Sequence, residues 1–405
     1  MLKFNQICGQ SFRVIAVLSL VVAILTFQVL PTYAATAGSV GTWQTTTPLP
    51  TETFVASGAT YNGYVYNIAG TTNAGDTNKV FYSKINTDGT LSSWITSPNN
   101  FPETFRRATS VASNGYLYVV GGYSDSHLQF NTVYYAALSP TDGSVGAWNT
   151  TTVLPNINQS EAVVVNNNFM YVIGGGRAPI GNVNEVHYAP INANGTLGSW
   201  TTSSNTLPQP LRRIGGVVNN NFVYITGGIT TAGTPSNTVY YAPLNNDGSV
   251  GSWSTSPNVL PTAVWDAATT TSNGYIGNAG GKGASGSINK VYYAPLNNDG
   301  SVGSWIESAN SLPDSVNGSV GLAYNNFIYN IGGESTTLGN IATVYYAALT
   351  PNAVVDPPAE TKNSPTAPNT GYGTILANPI TTLIGYTTLS LLLFYGAYRN
   401  REDTK

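Results

Sequence analysis

The chain has one cysteine, two histidines and very few charged side chains. A single thiol excludes a disulfide framework. That thiol, Cys8, also precedes the first apolar run, which is the wrong place for a lipid anchor, and it departs with the leader if the leader is cleaved. His127 and His187 are too few, and too far apart in sequence, to suit a histidine-based metal centre or a hydrolytic triad. Asp, Glu, Lys and Arg together make up 8% of the 405 residues, and the net charge is −3. Such a chain offers nucleic acid no basic stripe and carries no acidic solvating tail. No metal, cofactor or nucleic acid is therefore expected. Thr, Asn, Ser, Gly and Tyr dominate instead, giving a neutral, hydrogen-bonding surface.

Long apolar runs occur only near the two ends. Lys3 and Arg13 precede the run Val14 to Leu30, and Thr32-Tyr33-Ala34 places small residues after it. This is the layout of a secretory signal peptide over residues 1–34, cleaved after Ala34 or, as second choice, after Ala37. The alternative is an uncleaved anchor. Residues 350–366 form a Pro/Thr/Asn/Ser-rich linker, expected to be extended and flexible. Residues 375–398 are apolar over a length that can span a bilayer. Residues 399–405 follow, and Arg399, Arg401 and Lys405 put that end on the cytoplasmic side.

The region between is a repeat. Trp43, Trp94, Trp148, Trp200, Trp253 and Trp305 recur at intervals of 51 to 54 residues. A period near 50 implies stacked or radially arranged units. Each unit passes a Leu-Pro (Phe101-Pro102 in the second) and holds short β-branched and aromatic runs bounded by Asn/Gly/Asp turns, which read as four strands, a to d. Strand a follows the Leu-Pro, strand b ends in a Gly-Gly, strand c carries a Tyr pair and strand d carries the Trp. Asn62-Gly63, Asn114-Gly115 and Asn273-Gly274 suit tight a–b turns. The c–d turns are Asp-Gly at Asp88, Asp142, Asp247 and Asp299, and Asn194-Gly195 in the third unit. The sixth unit stops at Val344-Tyr345-Tyr346 with no Trp after it, and the missing strand stands at the other end, Gly38 to Trp43. The N-terminal strand is expected to complete the last sheet and close a ring, which would leave no exposed sheet edge. The fold class is all-β: a six-bladed β-propeller over residues 38–349, with the linker and a transmembrane helix after it.

The doublets Gly121-Gly122, Gly174-Gly175, Gly227-Gly228, Gly280-Gly281 and Gly332-Gly333, each followed by a Tyr and then a Trp, resemble the Kelch family of propeller repeats. The first unit departs with Ala69-Gly70. Galactose-oxidase-like enzymes resemble this pattern too, but their copper site requires a Cys and two His that the mature chain does not supply. At the other end, Ala367-Pro368-Asn369-Thr370-Gly371 with the apolar and basic tail resembles the sorting signal of sortase-anchored bacterial surface proteins. Ala367 departs from the usual Leu. The resemblance implies cleavage between Thr370 and Gly371 by a sortase-like transpeptidase and attachment to the cell wall. A plain transmembrane anchor is the alternative, and in both cases the repeats face outward.

The repeat also sorts the loops. The a–b and c–d turns are near-identical, whereas the d–a and b–c connections vary, and variable loops on a rigid scaffold are where binding usually resides. The most divergent positions lie four and five residues past the Leu-Pro: Phe54, Arg106, Gln159, Arg212, Trp265 and Asn317, then Val55, Arg107, Ser160, Arg213, Asp266 and Gly318. With strand a innermost, these should ring the mouth of a central channel. Arg suits carboxylate or phosphate, and Trp265 and Phe54 offer stacking faces. A second reading has the arginines lining a hydrated channel and pairing with Glu161 and Asp266. The function expected is a non-catalytic cell-surface binding protein or adhesin for an extracellular glycan or protein. The enzyme alternative is a sialidase-like glycoside hydrolase, because sialidases share six blades, an arginine cluster and Asp-containing c–d hairpins. In those hairpins the Gly lies two past the Asp, not next to it as here.

Overall fold

The computed structural model describes residues 39–124 and 128–350, all within one compact unit, Met1–Ala353. The expected leader, residues 351–366 of the linker, the sorting motif, the apolar span, the basic tail and His127 lie outside the described residues. Among the described residues there is no helix, and thus none long and apolar enough to cross a membrane.

Six four-stranded antiparallel sheets hold the repeat, each in the order a-b-c-d. The fourth is representative, with strands Gly215–Asn219, Phe222–Thr226, Val239–Pro243 and Ser254–Thr255. Strand d begins just after the Trp rather than carrying it, since Ser254 pairs with Tyr241 and Thr255 with Tyr240. In the sixth sheet the outer strand is Gln44–Thr46, paired antiparallel with Val344–Tyr346. It too starts one residue past its Trp. Val40 bridges Leu349 beyond it. The N-terminal segment thus completes the last sheet as expected, with its strand directly after Gly38–Trp43 rather than within it.

Strand a of each sheet lies against strand a of the next, and the sixth lies against the first. The core follows from this. It is not one central cluster but six apolar layers, each between consecutive sheets, including one between the sixth and the first. Both faces of every sheet are therefore covered, which is why strands b read as continuous apolar runs rather than alternating ones.

The glycine doublet clasps neighbouring sheets. The N–H of the second residue donates to a carbonyl in the d–a connection of the next repeat: Gly175 to Leu211 at 2.8 Å, Gly228 to Val264 at 2.8 Å, Gly281 to Val316 at 2.8 Å and Gly333 to Thr53 at 2.7 Å. A Cβ on the first residue would sit against that same carbonyl, 2.5 Å away for Gly227 and Val264. The first sheet makes the same bond, Gly70 N–H to Phe105 at 2.9 Å, despite Ala69. Ala69 has φ 54°, a left-handed value that a non-glycine residue can reach at a cost, whereas Gly70 has φ 96°.

Candidate functional site

At the variable face the chain repeats one local manoeuvre six times. The residue four past each Leu-Pro pairs with the residue following the glycine doublet: Phe54 with Thr71, Arg106 with Tyr123, Gln159 with Gly176, Arg212 with Ile229, Trp265 with Lys282 and Asn317 with Glu334. The next residue then turns into the left-handed region, with φ between 47° and 62° at Val55, Arg107, Ser160, Arg213, Asp266 and Gly318.

Those six residues form a closed backbone ring. Arg107 N–H donates to the Val55 carbonyl at 3.0 Å, Ser160 to Arg107 at 3.0 Å and Arg213 to Ser160 at 2.8 Å. Asp266 donates to Arg213 at 3.2 Å, Gly318 to Asp266 at 2.8 Å and Val55 back to Gly318 at 2.8 Å. Six left-handed residues in a row around one opening would be strained if each were isolated. Here each N–H and carbonyl is satisfied by its neighbour, so the ring holds the conformation.

The ring residues that carry charge meet across the opening. Arg107 Nη1 donates to both Asp266 oxygens at 3.2 and 3.0 Å, and Arg213 Nη1 lies 3.6 Å from Asp266 Oδ2. The Arg107 and Asp266 side chains are 8% and 9% exposed, so this is a largely desolvated bridge. Burial, then the neighbouring Arg107 charge, lowers the Arg213 pKa, and Asp266 opposes this. Phe54 covers Gly318, which has no side chain to occupy the space, and Arg107 lies over the Phe54 ring at 5.7 Å. Arg106 turns outward instead, to Asp76 at 3.0 Å and over Tyr123 at 4.8 Å.

Below the ring all six sheets contribute to an axial cavity of about 190 Å3. It is lined by small and polar residues including Ser57, Gly58, Ser110, Gly215, Gly216 and Thr269. Glu161 also lines it. Its carboxyl is buried, neither oxygen has a hydrogen-bond partner, and burial pushes its pKa up to about 8. The expected arginine pairing is therefore split. Asp266 takes two guanidiniums, and Glu161 takes none. Ile214 holds the equivalent place in the fourth sheet, so Glu161 is a carboxyl in an apolar position between sheets.

The remaining sequence-derived positions differ in accessibility. Gln159 and Arg212 line a side pocket of about 240 Å3 with Gln129 and Arg177. Trp265 is half-buried, with its indole N–H unpartnered. Asn317 is buried at 1% exposure, and its amide is satisfied by Ser287 and Glu334. It belongs to the wall of its loop. Arg177 and Gln129 lie in the variable b–c loops 177–181 and 123–130, which the sequence assigns to this face, although no recurring pattern indicates that the two meet. Arg177 is ion-paired with Glu185, which also contacts His187 at 3.2 Å. His187 lies in strand c and is buried, and burial lowers its pKa despite Glu185. No group of residues suited to a metal ion occurs among the described residues.

On the opposite face, Asp247 Oδ1 accepts from the Ser249 amide and hydroxyl at 2.9 and 2.6 Å, and Asp88, Asp142 and Asp299 make the same pair of bonds. These bonds, preceded at Asp142 by a larger contribution from the Ser139 side chain, hold the carboxylates below their usual pKa. The Asp side chains are turn-forming groups.

The family model for the Kelch motif matches residues 104–135, a stretch that contains Arg106, Arg107 and the Gly121-Gly122 doublet. No curated protein matches the chain. Among solved structures, one titled "Structure of YjhT" aligns over 74% of this chain and 95% of its own, at 18% identity and a TM-score of 0.59. At that identity the likeness shows the fold alone: a propeller-like, all-β arrangement.

Proposed function

We propose that the six sheets are the blades of a closed six-bladed propeller, and that the protein is a cell-surface-anchored binding protein whose ligand meets the face carrying the ring. The observation that carries this reading is the contrast between the two faces. One is built from four copies of the same Asp-centred turn. The other carries five kinds of side chain, Phe54, Arg106 and Arg212, Gln159, Trp265 and the buried Asn317, at six equivalent backbone positions. A rigid scaffold that varies only at equivalent loop positions is the arrangement binding proteins use. The leader and the tail resembling a sortase signal supply the surface location in this reading. The ligand is an extracellular glycan or protein.

The test is capture of intact cells and of arrayed glycans by the purified protein. Capture should fall at least tenfold in Trp265→Ala and Arg213→Gln and stay unchanged in Asp247→Asn on the opposite face. Equal capture by all three variants would remove the ring face as the binding site. Release of the protein from its own cells by mild detergent, without wall digestion, would overturn the sortase attachment. The sialidase-like alternative keeps the six sheets and the arginine cluster as its support but not the Asp hairpins, whose carboxylates close turns on the opposite face.

A further inference from the structure

Arg212 differs from the other ring-face arginines. Arg106 has Asp76, Arg107 and Arg213 share Asp266, and Arg177 has Glu185. Arg212 has no ion pair among the described residues; its Nε, like that of Arg213, is buried without a hydrogen-bond partner. A half-buried guanidinium with no counter-charge is costly unless an anion arrives.

Its surroundings form a defined pocket. Arg212 is fixed by pairing of Leu211–Arg212 with Ile229–Thr230. Gly176 and Gln159 lie beside it, a Cβ on Gly176 falling 3.2 Å from Arg212 Cδ. One wall of this open pocket is the neighbouring b–c loop, where Gln129 Oε1 accepts from the Ala178 amide at 2.8 Å. At about 240 Å3 it admits a side chain rather than a single ion. None of its lining residues is aromatic, so it lacks the stacking platform a sugar ring would use. Two exposed aliphatic side chains adjoin its lining residues along the chain. Leu128 precedes Gln129 and is 63% exposed, and Ile180 lies between Pro179 and Gly181 and is 67% exposed.

We infer that this pocket binds the carboxylate of an acidic side chain on a partner polypeptide, with Arg212 as its fork-shaped counter-charge and Leu128 and Ile180 receiving aliphatic neighbours of that residue. The inference rests on the reading that this face meets an extracellular partner, and it narrows that partner to a protein. A guanidinium–carboxylate pair can be bidentate and is then worth more than a neutral contact. It discriminates Asp from Asn because the amide would present a donor to a donor.

The test is a fluorescence-anisotropy titration of the full-length chain in mild detergent. The probe is a blocked, labelled peptide with one Asp between two Leu, compared with the same peptide carrying Asn. The Asp peptide should bind at least tenfold more tightly. Arg212→Gln should erase that preference, Leu128→Ser should weaken both peptides, and Trp265→Ala should leave the preference intact. Thermal melting of Arg212→Gln checks that the fold persists. Equal binding of Asp and Asn peptides, or a preference that survives Arg212→Gln, overturns the inference. So does sodium glucuronate competing as well as the Asp peptide, which would make the pocket one for acidic sugars. Cell capture and this titration read different residues. Capture failing while the Asp preference holds overturns the function of the face and supports the pocket. The preference failing while capture holds overturns the pocket alone.

Discussion

Arg107 and Asp266 come from sheets three positions apart in the ring, and they meet across its opening at 3.0 Å. Arg213 leans on the same carboxylate. Removing the carboxylate leaves two guanidiniums facing each other in a shielded place. Asp266→Asn should therefore destabilise the protein by about 3 kcal/mol, as expected for breaking a buried pair by deleting one partner. Replacing both partners, Arg107→Met with Asp266→Leu, should recover most of that loss. Urea denaturation of the two variants checks this. An Asp266→Asn midpoint equal to that of the parent would mean that the bridge contributes nothing to the fold.

Glu161 makes stability depend on pH in a particular direction. Its folded pKa of about 8 lies above the ordinary carboxyl value of 4.5. Below that ordinary value both folded and unfolded chains carry the proton, and burial of the neutral acid is not penalised. As pH rises toward 8 the unfolded chain ionises while the folded one does not, so stability falls, and it levels off above the folded pKa. Glu161→Gln removes the ionisation. The variant should match the parent near pH 4 and become progressively more stable than it up to pH 8, by a margin on the order of a few kcal/mol. Melting temperatures at intervals from pH 4 to pH 8.5 measure the gap. A gap that does not widen with pH would show that Glu161 ionises freely.

Much of this was legible because the repeat makes each position comparable with five others. The Trp period, the doublets and the displaced first strand all read out the sheet order, and the divergent positions past the Leu-Pro are the ring and its flanking residues. What the sequence hid is contact between distant units. Asp266 and Glu161 look alike as carboxylates near arginines, yet only Asp266 turns into the opening, because it occupies the left-handed ring position and Glu161 lies one residue beyond its own ring residue, Ser160. Asn317 sits at the same position as Arg212, but the local loop residues Ser287 and Glu334 cover it. The variable b–c loops were legible as part of this face, but the side pocket they form was not: Gln129 and Arg177 belong to loops without internal repetition, and their meeting depends on loop conformation rather than on period.

The first sheet's departure from the glycine doublet yields a pair of predictions of opposite sign. Ala69 occupies the left-handed region, at φ 54°. Ala69→Gly should relieve a strain of about 1 kcal/mol, partly offset by the greater freedom of glycine in the unfolded chain, so the melting temperature should rise or hold. Gly70 has φ 96°, and a Cβ there would fall 2.8 Å from both Ala56 Cα and Cβ. Gly70→Ala should lower stability by about 2 kcal/mol or more and weaken the clasp to Phe105. Thermal unfolding of both variants provides the comparison. Equal effects would mean that the doublet is not held by backbone geometry.

Tyr118 and Tyr171 occupy the same place in successive sheets, both fully buried in strand b. Tyr118 Oη donates to the Gly195 carbonyl in the next sheet at 2.9 Å, as Tyr66 does to Gly143 and Tyr329 to Gly89. Tyr171 Oη is buried with no partner. Burial raises the pKa of both hydroxyls, so neither ionises at ordinary pH and only hydrogen bonding separates them. Tyr118→Phe strands a buried carbonyl and loses a net hydrogen bond, a change of roughly 1 to 2 kcal/mol. Tyr171→Phe deletes an unsatisfied hydroxyl and keeps the ring packed, so stability should be unchanged or slightly higher. Denaturant midpoints of the two single variants decide the matter. If Tyr171→Phe costs as much as Tyr118→Phe, then the Tyr171 hydroxyl bonds across the third and fourth sheets after all, and the six inter-sheet layers are more alike than their geometry indicates.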